Sequence, residues 1–133
     1  MIYALDTNII SYILNGNEHL SAKLSSITKS GNRVIIPLIV YFEARRGLIA
    51  NHATAKMREF DKLCATLEIP DLTVSDMNKA AAIYAERKSK GKMIDDSDLL
   101  IAAQCINCGY TLVTNNIKHF ENISGFNIEN WME

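Results

Sequence analysis

Four polar clusters in the sequence hold side chains that can do chemistry: Asp6 and Thr7; Glu43; Asp95, Asp96 and Asp98; and Thr114, Asn115 and Asn116. Each cluster adjoins an apolar segment. A buried carboxylate without a partner is costly, so each acid there needs a hydrogen-bond donor, a base or a cation. Its place in the fold decides which.

The first cluster follows the apolar segment Ile2–Leu5, which is typical of a strand. In open α/β sheets, ligands bind at the carboxyl ends of the strands, which favours a functional role for Asp6. The alternative is that Asp6 caps the next helix, since Asp is a good N-cap. Asn8 would leave Asp6 free if it served as the cap instead. The residues alone leave both interpretations open.

Glu43 lies in a predicted helix whose preceding turn, residues 38–42, is apolar nearly all round, as in a buried helix. A glutamate there is expected to pair with a base or bind a cation. Arg46, three residues later, is the alternative partner along the helix surface. Gly47 costs about 1 kcal/mol in a helix relative to Ala, and it predicts a close backbone approach nearby.

The three aspartates of the third cluster open an apolar helix, where the helix dipole favours negative charge. Asp96 fits a capping role. Asp98 precedes the apolar run 99–102 and is expected near the core, with Asp95 on nearly the same face.

The fourth cluster, 114–116, ends another apolar strand. Asn-rich strand ends are usually turns. This one lies beside Asp6 if the two strands are neighbours.

Three adjoining carboxylates cannot all stay ionised unaided. Either some of them take up protons, or cations neutralise their charge. If Asp6, Glu43 and Asp98 converge, we therefore expect a divalent ion between them. Oxygen ligands select Mg²⁺ or Mn²⁺ over zinc, and the three histidines lack zinc-ligand spacing. Such a site suits phosphodiester hydrolysis, because divalent ions activate water and neutralise a leaving oxygen.

Strand and helix patterns alternate along the chain, which predicts an α/β domain with a mostly parallel sheet. Ser75 is the predicted N-cap of the helix that begins at residue 76, and Gly109 the predicted glycine after the next helix. With no repeat or linker, residues 1–133 are expected to form one domain. The predicted strands are 2–5, 34–36, 67–69, 111–113 and 126–128, and the predicted helices are 8–14, 19–29, 38–49, 53–65, 76–89 and 97–107.

The composition, 48% hydrophobic and 22% charged, is that of a soluble globular protein. No apolar run approaches the roughly 20 residues of a membrane span, and no secretory signal opens the chain, so a cytoplasmic location is expected. A net charge of −1 excludes a general nucleic-acid coat protein. Cys64, Cys105 and Cys108 are expected to be small buried thiols rather than a disulfide or zinc site.

The order of four segments, LDTNIISYIL, EARRG, DSDLLIAAQC and TLVTNNIKHF, resembles that of PIN-domain ribonucleases, in particular the VapC toxins of bacterial type II toxin–antitoxin pairs. The resemblance runs from Met1 to Trp131. It implies a three-layer α/β/α sandwich and a Mg²⁺-dependent endoribonuclease that cleaves specific tRNA or ribosomal RNA to inhibit translation. It also implies a homodimer and a cognate antitoxin that places a basic side chain in the acidic site.

The resemblance also assigns site residues. At the fourth position Asn116 offers an amide oxygen, which binds Mg²⁺ more weakly than a carboxylate does, so the number of ions, one or two, stays open. Mn²⁺ is a plausible substitute for Mg²⁺. The assignments are Asp6, Glu43 and Asp98 as metal ligands, Asn116 at a fourth position that many relatives fill with Asp, Thr7 and Thr114 as supporting hydroxyls, and Asp95 as a further contributor.

A basic cluster precedes the acidic helix: Arg87, Lys88, Lys90 and Lys92. These side chains either bind RNA phosphates or simply stabilise a helix C-terminus. Arg45 and Arg46 are open to the same two interpretations.

Three rival functions were weighed against the residues. Haloacid-dehalogenase-like phosphatases also place an Asp after the first strand, but they need a second Asp where Asn8 stands. A receiver-like phosphorylation switch needs its acids at strand ends, whereas Glu43 and Asp98 fall in predicted helices. A catalytically inactive PIN domain that acts by binding remains an alternative, although all three main acids are present.

Overall fold

The computed structural model describes residues 1–132; Glu133, the last residue of the predicted domain, lies outside them. The elements, in chain order, are β1 (Ile2–Leu5), α1 (Thr7–Leu14), α2 (Glu18–Lys29), β2 (Arg33–Ile35), α3 (Leu38–Ala50), α4 (Thr54–Thr66), α5 (Val74–Ser89), α6 (Asp96–Cys108), β3 (Thr111–Val113), α7 (Ile117–Phe120) and β4 (Asn127–Glu129).

The four strands form one parallel sheet in the order β2-β1-β3-β4. Tyr3 of β1 lies opposite Val34 of β2 on one side and Thr111 of β3 on the other. The chain therefore leaves β1 in one direction to form β2, and later returns on the other side to form β3. The carboxyl ends of β1 and β3 meet at this topological switch point, where open α/β sheets bind their ligands.

The central strands are buried because helices cover both faces of the sheet, which gives the predicted three-layer α/β/α sandwich. Ala4, Leu5, Leu112 and Val113 have no exposed surface. They join the buried side chains of the helices in a single hydrophobic cluster. No helix in the part of the chain that the structure describes is long and apolar enough to cross a membrane.

The prediction of a strand at 67–69 is wrong. The Ile36 amide donates to the carbonyl of Glu68 at 2.9 Å, and Glu68 forms one isolated bridge with Ile35. Pro70 follows two residues later and has no amide hydrogen with which to extend the ladder. The bounds of β2 and β4 each differ by one residue from the prediction, and α7 was not predicted.

Thr73, and not the predicted Ser75, caps helix α5. The Asp76 amide donates to Thr73 Oγ1 at 3.1 Å, and the Thr73 amide donates to Asp76 Oδ2 at 3.0 Å, which completes a capping box. Asn107 of α6 donates from Nδ2 to Asp76 Oδ1 at 2.9 Å, so the same carboxylate ties α5 to α6. Gly109 ends α6 with φ +71°, as predicted.

Two expectations are wrong, the burial around Phe42 and the close approach at Gly47, and the expected burial of the three thiols is confirmed only in part. Phe42 is 52% exposed, because α3 packs against α1 and α4 with one side and leaves the other open. A Cβ added at Gly47 would meet nothing within 4 Å, so that glycine marks no close backbone approach. Among the three free thiols, Cys105 is buried whereas Cys108 is exposed.

Candidate active site

Asp6 lies at the carboxyl end of β1, 5% exposed, and it also caps helix α1. Its Oδ1 accepts a hydrogen bond from the Thr7 amide at 2.8 Å, so Asn8 does not replace it as the cap. Its Oδ2 accepts from the Thr114 hydroxyl at 2.7 Å and from Asn8 Nδ2 at 3.1 Å. These donors compensate the burial of the charge, and the capping role and a functional role coexist in one side chain.

The end of β3 lies beside Asp6, which confirms the predicted neighbourhood of the two strand ends. Thr114 is fully buried, and its Oγ1 accepts a hydrogen bond from the Asn116 amide at 3.0 Å. The Asn115 amide donates to Asn8 Oδ1 at 2.9 Å. The polar strand end is thus a turn, as Asn-rich ends usually are, and a wall of the site as well.

Glu43 reaches the same place from α3, which packs against α1. The Thr7 hydroxyl donates to Glu43 Oε1 at 2.9 Å and so links the first two clusters. Arg46 is a weak partner, because its Nη2 lies 3.8 Å from Glu43 Oε2 and its side chain is 60% exposed. An exposed pair of this kind contributes little, so the Arg46 pairing leaves Glu43 available for a cation.

Asp98 enters from the first turn of α6, whose N-cap is Asp95 rather than Asp96. Its Oδ2 lies 3.2 Å from Nδ1 of His119 on the short helix α7. His119 was not predicted as a site residue, because the four residues of α7 are too few to show helical periodicity. Its nearness to Asn116 in the chain was the one available signal.

The predicted residues do come together in one pocket of about 220 Å³. Thr114 lies beneath this pocket, against Asp6, rather than in its lining. Ser97 was missed by the sequence analysis. The pocket, called the acidic pocket below, is lined by Asp6, Thr7, Asn8, Glu43, Asp95, Ser97, Asp98, Asn116 and His119.

Burial and mutual repulsion raise the pKa of two of these acids. The pKa of Asp98 is raised to about 6, by burial first and then by the charges of Asp6, Asp95 and Glu43, against the opposing effect of His119. Burial likewise raises the pKa of Asp6, although its hydrogen bonds from Thr114 and Thr7 act in the opposite direction. The pocket therefore concentrates more negative charge than its protein neighbours neutralise.

Comparison with known proteins agrees with this geometry. The sequence profile of the PIN domain matches residues 3–125. The chain belongs to the PIN-domain family. It is 33% identical to Ribonuclease VapC2 of Rickettsia felis, over 98% of each chain, and 30% identical to the tRNA(fMet)-specific endonuclease VapC of Salmonella typhimurium, over 97% of each.

Solved structures give the same result. The VapBC2 structure from Rickettsia felis, bound to a DNA fragment from its promoter, contains a chain that matches this one with a TM-score of 0.91 and 34% identity, covering 98% of this chain and 99% of that one. The DNA-bound VapBC structure from Salmonella typhimurium gives a TM-score of 0.87 at 26% identity, with 98% of each chain covered.

The acidic pocket of this PIN domain suits Mg²⁺ or Mn²⁺. Its donors are carboxylate and amide oxygens, which hard cations prefer. Within residues 1–132, no three Asp, Glu, His or Cys side chains lie close enough together to hold a metal ion between them. Mg²⁺ keeps several of its waters and binds proteins through one or two carboxylates, so an open set of this kind fits it, whereas a closed structural zinc site would not.

The predicted basic cluster separates into two pairs. Arg87 and Lys92 line a second cleft, which shares Asp98 with the acidic pocket. Lys88 and Lys90 are not in the lining of this cleft. Arg45, the other open case, forms an ion pair with Asp61 and stacks over the Tyr41 ring.

Proposed function

We propose that this protein is a metal-dependent endoribonuclease toxin that cleaves specific structured RNA, tRNA or ribosomal RNA, inhibits translation in the cytoplasm and is neutralised by a cognate antitoxin. One observation carries the proposal. Asp6, Glu43 and Asp98, from three separate elements, line a single pocket at the switch point of a parallel sheet. One contiguous core supports residues 1–133 acting as one domain.

In the proposed mechanism, Asp6 would hold Mg²⁺ directly, and Glu43 and Asp98 would complete its shell partly through water molecules. A bound divalent ion supplies Lewis-acid activation of water and neutralises charge on the phosphate. The proposed reaction is an in-line attack of water on an RNA phosphate, which leaves a 3′-hydroxyl and a 5′-phosphate. Asn116, at the rim of the pocket, orients a water molecule through its amide or weakly holds a second ion.

Neighbouring groups preorganise the carboxylates for this task, because hydrogen bonds already fix two of them. The Thr7 hydroxyl orients Glu43, and the Thr114 hydroxyl orients Asp6. The third, Asp98, lies with its Oδ2 3.2 Å from His119 Nδ1, within ion-pair distance. Fixed ligands cost no reorganisation at the moment of reaction.

A folded RNA substrate agrees with the charge of the chain. With 14 basic and 15 acidic residues, the protein lacks the excess that would grip any RNA backbone. Sequence-specific RNA recognition instead targets loops with splayed bases. A relative named as a tRNA(fMet)-specific endonuclease, 30% identical over nearly the whole chain, supports tRNA as the first substrate to try.

A groove beside the acidic pocket supports the proposal of an antitoxin partner. It has a volume of about 260 Å³, lies between α1 and α3, and shares Thr7 and Glu43 with the acidic pocket. Apolar side chains such as Ile10 and Leu48 line its course. A partner segment with apolar side chains that ends in Lys or Arg fits both the groove and the acids. The predicted homodimer stays a prediction.

The decisive experiment incubates the purified chain, freed of any partner, with total RNA in Mg²⁺ or in EDTA. We expect cleavage in Mg²⁺ alone, with 5′-phosphate ends. Asp6→Asn should lower the rate by at least about a hundredfold, because it removes a charge that the reaction needs.

The matched control is Asp96→Asn, on the exposed side of the first turn of α6 and outside the acidic pocket. It makes the same chemical change a few residues from Asp98 and should cleave at the rate of the parent. Equal cleavage by Asp6→Asn and the parent, with both folded by circular dichroism, would refute the mechanism.

A further inference from the structure

A second cleft, with a different chemistry, opens beside the acidic pocket. It has a volume of about 400 Å³ and shares Asp95, Asp98 and His119 with that pocket, so the two spaces adjoin. The other charged side chains of its lining are all basic: Arg87, Lys92 and Lys118.

Two segments far apart in the chain build this basic cleft. Gly91, with φ +69°, turns the chain after α5, so that the Lys92 amide donates to the Arg87 carbonyl at 2.9 Å and the two cationic residues stay together. The other wall runs from Lys118 to Asn122. Arg87 Nη1 donates to the Asn122 carbonyl at 3.0 Å and so bridges the walls.

These contacts do not satisfy the Arg87 guanidinium. Its Nε is buried and has no hydrogen-bond partner. Among residues 1–132, Arg87, Lys92 and Lys118 form no ion pair, whereas Lys90 pairs with Glu86 at 3.1 Å. A buried donor without a partner needs an explanation, and a ligand that brings acceptor oxygens to the cleft would provide one.

We propose that the basic cleft binds the RNA phosphate next to the one that is cut, with Arg87, Lys92 and Lys118 as its ligands. The inference rests on the proposed ribonuclease function. A guanidinium fixed at one end presents its remaining N–H groups as a fork, which matches phosphate oxygens. The cut phosphate then lies at the acids, where a cation must neutralise it, and its neighbour lies where the protein itself is positive.

The test measures binding apart from cleavage. Fluorescently labelled tRNA(fMet) is titrated with the full chain carrying Asp6→Asn, in Mg²⁺ and at several salt concentrations. Adding Arg87→Gln or Lys118→Gln should weaken binding about fivefold to tenfold and lower the slope of log K against log salt by about 0.7 to 1 for each charge removed.

The matched control is Lys79→Gln, an exposed lysine on the same helix as Arg87 and outside the cleft, which should change the affinity less than twofold. Lys118 is exposed, so its variant keeps the test valid if Arg87→Gln does not fold. In the chain with Asp6 intact, both cleft variants should raise KM more than they lower kcat.

Equal weakening by Lys79→Gln, or competition by polyglutamate as strong as that by unlabelled tRNA, would overturn the subsite in favour of general anion attraction. Unchanged binding in both cleft variants would overturn it too, while Asp6-dependent cleavage would leave the ribonuclease proposal standing. Cleft-dependent tRNA binding without any cleavage would refute the ribonuclease and, with it, the place of the cleft beside a cut phosphate, and would leave only a phosphate-binding cleft.

Discussion

At the scale of single residues, the surroundings of Asp98 raise the pKa of its carboxyl group well above the usual value. Its pKa of about 6 in the folded chain compares with about 3.9 for an aspartate in an unfolded one. Between these values the folded protein binds more protons than the unfolded protein does. The free energy of unfolding therefore falls as the pH rises from about 4 to about 6, and the loss is complete above that range.

We therefore expect Asp98→Asn to stabilise the protein in EDTA at pH 7.5, by about 1 to 2 kcal/mol once solvent screening of a partly exposed carboxyl is allowed for. The gain should shrink towards zero as the pH approaches 4. Urea unfolding at both pH values measures it. Asp96→Asn serves as the exposed control, and a variant no more stable than the parent at pH 7.5 would contradict the cause assigned to the shift.

The acids of the site were predictable as residues because each adjoins an apolar segment, where a charge requires an explanation. The side chains that donate hydrogen bonds to these acids were harder to predict from the sequence. Thr114 was expected to support the site, yet its bond to Asp6 depends on the order of β1 and β3 in the sheet. His119 was missed because its contact with Asp98 arises only when α7 folds back onto α6.

At the scale of elements, the capping box that begins α5 also anchors α6, the helix that carries Asp98. Asp76 is 2% exposed and accepts hydrogen bonds from the Thr73 amide and from Asn107 of α6. Sequence patterns find such helices well but place their starts less well. Ser75 and Thr73 are both good caps, and only the direction of the incoming chain decides between them.

Asp76→Ala should lower the free energy of unfolding by about 1 to 3 kcal/mol, because it leaves the Thr73 amide without its acceptor and removes the shorter of two hydrogen bonds from Asn107 Nδ2. Ser75→Ala, the residue first expected to cap the helix, should cost less than about 0.5 kcal/mol, since its hydroxyl is exposed. Chemical denaturation of both variants decides the matter. A larger cost for Ser75→Ala would reverse the assignment of the cap.

The strands, like the helices, were predicted in part, and the error again concerns a feature that depends on the fold. The segments at β1 and β3 were predicted without error because continuous apolar runs mark strands that are buried on both faces. The segment at 67–69 places the exposed Glu68 between two partly buried apolar residues, and it reaches the sheet with one bridge. Apolar composition predicts burial, but whether a segment joins the β-sheet depends on backbone pairing, which Pro70 limits here.

At the scale of the whole molecule, the acidic pocket exists only when the chain is folded. Its main acids, the proposed metal ligands, come from positions 6, 43 and 98, and they repel one another while they are ionised. A cation that binds the folded chain alone therefore stabilises the fold, in proportion to the logarithm of its concentration above Kd. Protons compete for the same oxygens, so this stabilisation should depend on pH.

We expect Mg²⁺ or Mn²⁺ at ten times its Kd to stabilise the parent by about 1.4 kcal/mol, which raises Tm by about 4 °C in a chain of this size. At one fixed ion concentration, the rise should be larger at pH 7.5 than at pH 5, because Asp98 with its raised pKa is protonated at the lower pH and the Kd is then higher. Differential scanning fluorimetry at constant ionic strength measures it, with Asp6→Asn as the variant that should not respond and Asp96→Asn as the one that should. An equal rise in Asp6→Asn would place the ion outside the acidic pocket and, with it, remove the physical basis for cleavage there.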